Sequence, residues 1–154
     1  MNKDFIFKVT AKSESISKTV IKARNFNIVV DEPPMLGGKD EGPNPVEFVL
    51  AALAGCLNVV GHLVAREMGF QIKNLEFEIS GALNPEKFMG KETSDRAGYK
   101  SIEVKMNIDA DVDELTLARW LEIMKQRCPV SDNLTNATPV NITLNSKAES
   151  KVVG

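Results

Sequence analysis

At 154 residues the chain fits one domain with room for a real core, and 19 basic against 21 acidic side chains leave a net charge of -2. That balance gives no electrostatic footprint for nucleic acid or for an anionic membrane surface. The start, Met1-Asn2-Lys3-Asp4-Phe5, has no apolar signal core, so the expected location is the cytoplasm, where two cysteines are seldom a structural staple.

In chain order, three strand-like runs come first. Phe5 to Ala11, Ser17 to Lys22 and Phe26 to Val30 are rich in β-formers, with turns at Lys12 to Ser15 and Arg24-Asn25, and they predict an antiparallel meander. The segment Asp31 to Pro43 holds three prolines and three glycines and reads as a loop. Asn44 is then a good N-cap, Pro45 suits the first helical position, and Glu47 stands where a capping box places its acid. From Phe48 to Ala65 there is no charged side chain, so the helix is apolar around nearly its whole circumference and calls for cover on every side. A membrane span is the rival, but Asn58, His62, Gly55 and Gly61 interrupt the run and no aromatic belt flanks it. A sheet on one side and a second subunit on the other fit better.

Gly69 ends this helix. Two period-two runs follow: Leu75, Phe77 and Ile79, and then Ile102, Val104, Met106 and Ile108. They predict a long hairpin pair with one face buried. The polar connection from Asn84 to Tyr99, with Lys87, Lys91, Glu92, Asp95 and Arg96, reads as a flexible loop rather than a lid. Asp111 to Glu114 opens an amphipathic helix through Leu117, Ala118, Leu121 and Met124 to about Arg127, in which Trp120 is a packing anchor. Cys128-Pro129 restarts a short helix, Val140 to Leu144 is a final strand, and about 146 to 154 is a polar tail. The order βββ-α-ββ-α-α-β in a single domain over 1–154 predicts an α+β fold with mixed or antiparallel sheets around the central helix.

The chemistry rests on Cys56 and Cys128. Deep in an apolar helix, Cys56 needs help to react, because burial alone raises a thiol's pKa. Cys128 occupies an N-cap-like place beside Arg127, where free N–H groups and the helix dipole favour a thiolate. On these grounds alone each cysteine is as readily a buried apolar residue as a redox thiol. His62, six residues from Cys56, points to another side of the helix, and two cysteines with one histidine make a poor closed zinc site, so no metal is expected.

Gly37-Gly38, the run Gly42-Pro43-Asn44-Pro45, the helix Ala51-Ala52-Leu53-Ala54-Gly55-Cys56 and, 72 residues later, Cys128-Pro129-Val130-Ser131 resemble the OsmC/Ohr family of thiol-dependent peroxidases. The resemblance follows the element order along nearly the whole chain, and Asp31-Glu32-Pro33-Pro34 is similar to the OsmC-like branch. It implies an intertwined homodimer with central helices back to back and a site for a hydroperoxide or other small apolar ligand at the subunit interface. It also implies that Cys56 attacks the peroxide and becomes a sulfenic acid, that Cys128 resolves it as a disulfide, and that an external dithiol, not a bound cofactor, closes the cycle.

The family pairs its reactive thiol with an arginine and a glutamate. Here Val46 falls at the glutamate position and Glu47 one step later, about 100° around the helix. Arg24 and Lys39 are the candidate cations, and Glu47 serves either the site or its own helix start. The expected function is therefore reduction of organic hydroperoxides. The alternative is an OsmC-like binding or redox-sensing protein with little peroxidase activity.

Overall fold

A computed structural model describes residues 4–145. Its elements are β1 (Thr10–Ser13), β2 (Thr19–Ala23), β3 (Phe26–Val30), a 3-10 turn (Pro34–Leu36), α1 (Pro45–Glu67), β4 (Ile72–Ala82), β5 (Ser101–Ala110), α2 (Glu114–Arg127) and α3 (Pro129–Thr135). The expected α+β class holds, with two antiparallel sheets ordered β1-β2-β3 and β4-β5.

The start of α1 forms as its residues dictate. The Asn44 side chain accepts from the Glu47 N–H at 2.9 Å, and the Glu47 carboxylate accepts from the Asn44 N–H at 2.8 Å, which closes a capping box behind Pro45. The other end is a Schellman turn: Gly69, at φ +83°, donates to Arg66, and Phe70 donates to Ala65. Between these ends Leu53, Leu57, Val60, Val64 and Ala65 form the buried stripe. Trp120 and Met124 of α2 close over it, and the Trp120 indole N–H donates to the Gly61 carbonyl at 2.8 Å.

The long hairpin supplies the other wall. Leu75 pairs with Ile108, Phe77 with Met106 and Ile79 with Val104, and this face packs against the α1 cluster while Glu76, Glu78, Glu103 and Lys105 face water. Strict alternation fixed the register, because a slip of one residue would turn every apolar side chain outward.

Two expectations, those of the first and the last strand, are corrected. Within one chain the cover of α1 is one-sided: α2, β4 and α3 pack on it, whereas Ala51, Ala52, Gly55, Asn58 and His62 are exposed and Val59 is 66% exposed. By length and composition α1 is also the one helix among the described residues able to cross a membrane, although its Leu53-to-Ala65 stripe packs as a core helix does. The first strand begins only at Thr10, leaving Phe5, Ile6 and Phe7 (92%) exposed, and Val140 to Leu144 forms no strand, with Ile142 90% exposed. Both segments have β-forming residues but meet no sheet within one chain, and a strand is stable only against a neighbour.

The loop from Asp31 to Pro43 is ordered by a single carboxylate. Asp31, 1% exposed, accepts from the backbone N–H groups of Glu32 (2.9 Å), Lys39 (3.0 Å) and Glu41 (3.2 Å). Gly38 is required by space, since a Cβ there would stand 1.6 Å from the Glu32 carbonyl oxygen. Burial alone would raise the Asp31 pKa, but these N–H groups and the Ser17 hydroxyl outweigh it and hold the pKa at about 2, against an ordinary 3.8. A depressed carboxylate stabilises the fold above its ordinary pKa and stops doing so as pH falls toward its folded value. Asp31→Asn is therefore expected to lower the melting temperature near pH 7 by roughly 5 °C. Thermal scans should show the gap to the parent closing as pH is lowered from about 4 toward about 2.

Candidate functional site

Cys56 lies one turn beyond Leu53 on α1 and is half-buried, packed against the core cluster that contains Cys128. Cys128 is at once the last cap of α2 and the N-cap of α3. Its Sγ accepts from the Ser131 N–H at 3.4 Å, with Pro129 at the first helical position as expected. The two thiols are neighbours and are not joined as a disulfide. What brings them together is the packing of α3 and the end of α2 against α1.

The expected activation of Cys128 does not occur. At 1% exposure, burial is the largest influence and raises its pKa above 9.0. The adjacent Cys56 thiol adds to the rise, and the N–H groups of Ser131 and Val130 offset it only in part. Arg127 does not help, because its guanidinium turns back to pair with the Glu67 carboxylate at the end of α1. Adjacency in sequence pointed to the dipole; the tertiary burial that outweighs it was not visible there.

The other candidates lie elsewhere in one chain. Glu47 is exposed and engaged in its capping box. Arg24 occupies the β2–β3 turn at φ +53°, with its guanidinium 5.1 Å from the centre of the Phe26 ring. The Lys39 side chain is exposed, and its backbone N–H belongs to the Asp31 cradle. His62 is exposed on the bare face of α1, beside a groove of about 840 Å³ that runs along Asn58, Val59 and Arg66. Among the described residues no three His, Cys, Asp or Glu side chains converge as a metal-ligand set.

A cavity of about 440 Å³ lies between the first half of α1, β5, α3 and the Asn84-to-Tyr99 connection. It meets the thiol pair through Ser131, which lines it while its N–H holds the Cys128 sulfur. Val46, at the expected glutamate position, contributes apolar wall instead of charge.

The connection is built rather than loose, which corrects its reading as a flexible loop. Tyr99 donates its hydroxyl to the Val46 carbonyl at 2.9 Å, and its ring packs so closely on Gly81 that a Cβ there would come within 2.6 Å. Asn84 donates to Glu86 and to Asp95, and Asp95 pairs with Lys100 at 2.5 Å. Burial, and then the nearby Glu47 charge, raise the Tyr99 pKa, so its hydroxyl stays a donor. Arg96 and Tyr99 stand on the cavity wall; from sequence they were only members of a polar connection that also holds Lys87, Phe88, Met89 and Lys91, so nothing there set them apart.

A family model described as OsmC-like protein matches residues 38–143. Among solved structures, an OsmC-like protein from Mycoplasma pneumoniae is 21% identical with a TM-score of 0.74, over 86% of this chain and 89% of that one. The organic hydroperoxide resistance protein OsmC from Legionella pneumophila is 15% identical with a TM-score of 0.62, over 83% and 88% of the two chains. The organic hydroperoxide resistance protein OhrB of Bacillus subtilis is 22% identical with a TM-score of 0.55, over 83% and 89%. At these identities the likeness is one of fold. No curated protein matches the chain.

Proposed function

Because the chain belongs to the OsmC family, we propose that it is a thiol-dependent peroxidase that reduces organic hydroperoxides in the cytoplasm. The observation that carries this reading is the meeting of Cys56, from the middle of α1, with Cys128, from the start of α3. In the proposed cycle the Cys56 thiolate attacks the outer oxygen of ROOH and the O–O bond breaks. The RO⁻ fragment takes a proton and leaves as alcohol, and Cys56 becomes a sulfenic acid. The Cys128 sulfur then displaces that hydroxyl as water, which forms the Cys56–Cys128 disulfide. An external dithiol returns both sulfurs to thiols by two exchange steps.

The raised Cys128 pKa suits a resolving thiol, which stays protonated and unreactive until a sulfenic acid forms beside it. The proposed unit is a homodimer. A second copy would cover Ala51, Gly55, Val59 and His62 on α1, and it offers neighbours for Phe5 to Phe7 and for Val140 to Leu144, all bare in one chain. It is also the source from which Arg24 or Lys39 would reach a thiol.

With excess dithiothreitol the chain is expected to consume cumene hydroperoxide far faster than dithiothreitol alone. A rate equal to the background overturns the peroxidase reading. The second reading, a small-molecule-binding or redox-sensing protein, is favoured by one observation: Arg24 stacks on Phe26 and Glu47 closes its own capping box, so neither stands by the thiols within one chain. Background turnover together with a ligand retained in the 440 Å³ cavity would select it.

A further inference from the structure

The cavity beside the thiols is two-natured. Val49, Leu53, Ile102, Val104 and Leu134 make an apolar wall, while Arg96, Tyr99 and Lys100 come from or border the Asn84-to-Tyr99 connection. Two of those three are already engaged. Tyr99 gives its hydroxyl to the Val46 carbonyl and presents only its ring, and the Lys100 ammonium is paired with Asp95. Glu47, whose charge is felt at Tyr99, is turned onto the Asn44 N–H. Arg96 is different: among the described residues no carboxylate lies within 4 Å of its guanidinium, which folds over Gly98 at the exposed rim.

An apolar wall ending in one unpaired guanidinium is complementary to an acyl chain that ends in a carboxylate, since the tail needs cover from water and the head needs a planar two-pronged donor. We propose that Arg96 is a specificity-determining residue that seats the carboxylate of an amphiphilic acyl ligand, whose chain lies along Val49, Leu53, Ile102, Val104 and Leu134. This rests on the peroxidase reading only in making that ligand the hydroperoxide substrate. Ser131 lines the same cavity and holds the Cys128 sulfur, so an acyl chain seated this way lies alongside the thiol pair. The connection thereby acquires a role in binding: the Tyr99 and Asp95 anchors hold Arg96 at the rim.

The test uses reduced full-length protein and the fluorescence of cis-parinaric acid against that of its methyl ester, which differ only in the charge of the head. The parent is expected to bind the acid about tenfold more tightly than the ester. In Arg96→Ala that ratio should fall to within about twofold, and Arg96→Lys, which keeps the charge without the fork, should retain an intermediate ratio. Lys91→Ala, in the same connection but outside the cavity wall, should keep the parent ratio. Equal binding of acid and ester by the parent overturns the proposal, and so does a ratio that survives Arg96→Ala or is lost in Lys91→Ala. The two readings fail separately. A chain that consumes no hydroperoxide yet discriminates acid from ester through Arg96 loses the enzyme and keeps this site. A chain that consumes hydroperoxide without that discrimination does the reverse.

Discussion

Cys56→Ser is expected to reduce peroxide consumption with excess dithiothreitol to that of the dithiol alone, a fall of roughly a thousandfold or more, since it removes the sulfur that attacks the peroxide. The exchange of sulfur for oxygen changes little else, because the site is half-buried on a helix already held by Leu53 and Leu57. Cys128→Ser should behave differently and in a diagnostic way. Serine is a good N-cap and keeps an acceptor for the Ser131 N–H, so α3 should still start at the same place. Such a variant should reduce the first equivalent of peroxide and then stall as an unresolved Cys56 sulfenic acid, which excess peroxide drives to the sulfinic acid. Steady-state rates for both variants, with a first-turnover measurement for Cys128→Ser, decide the assignment. If Cys56→Ser keeps the parent rate, or if Cys128→Ser loses the first turnover as well, the roles proposed for the two thiols are wrong.

Trp120→Ala should bring the largest loss of stability, about 3–5 kcal/mol, read as a shift in the denaturant midpoint at unchanged slope. Trp120 is 2% exposed and joins α2 to α1 by packing and by its indole N–H on the Gly61 carbonyl. A Cβ at Gly61 would already stand 3.1 Å from the Trp120 ring, so the two helices meet closely here and a truncated side chain leaves a gap that neither can readily fill. For a domain whose total stability is usually 5–15 kcal/mol, that loss removes much of the margin. Trp120→Phe should cost less, because the ring volume is partly kept and only the polar contact is wholly lost. A shift below about 1 kcal/mol for Trp120→Ala would show that the α1–α2 contact does not anchor the fold as described.

Local chemistry explains why much of this architecture is legible in the sequence. Asn44, Pro45 and Glu47 specify the start of α1 within four residues, and the structure closes that capping box atom for atom. Gly69 supplies the positive φ that ends α1, and alternation in β4 and β5 fixes their register against the core. Cys128 before Pro129 announces the start of α3. The features that escaped depend on residues distant in the chain. Arg127 beside Cys128 suggested activation, but Glu67, 60 positions away, takes the guanidinium, and burial pushes the thiol up. The Asn84-to-Tyr99 connection read as loose because nothing in its own composition reveals that the Tyr99 hydroxyl bonds the first turn of α1. Phe5 to Val9 and Val140 to Leu144 have the residues of strands but no strand neighbour within one chain, so sequence pattern and single-chain structure part there for a physical reason.

The most direct test of the central claim is peptide mapping by mass spectrometry after one equivalent of cumene hydroperoxide is added to the fully reduced protein. The account predicts loss of both free thiols and a single linked pair of peptides, one carrying Cys56 and the other Cys128 from the same chain. Recovery of Cys128 as a free thiol beside an oxidised or untouched Cys56 would contradict it.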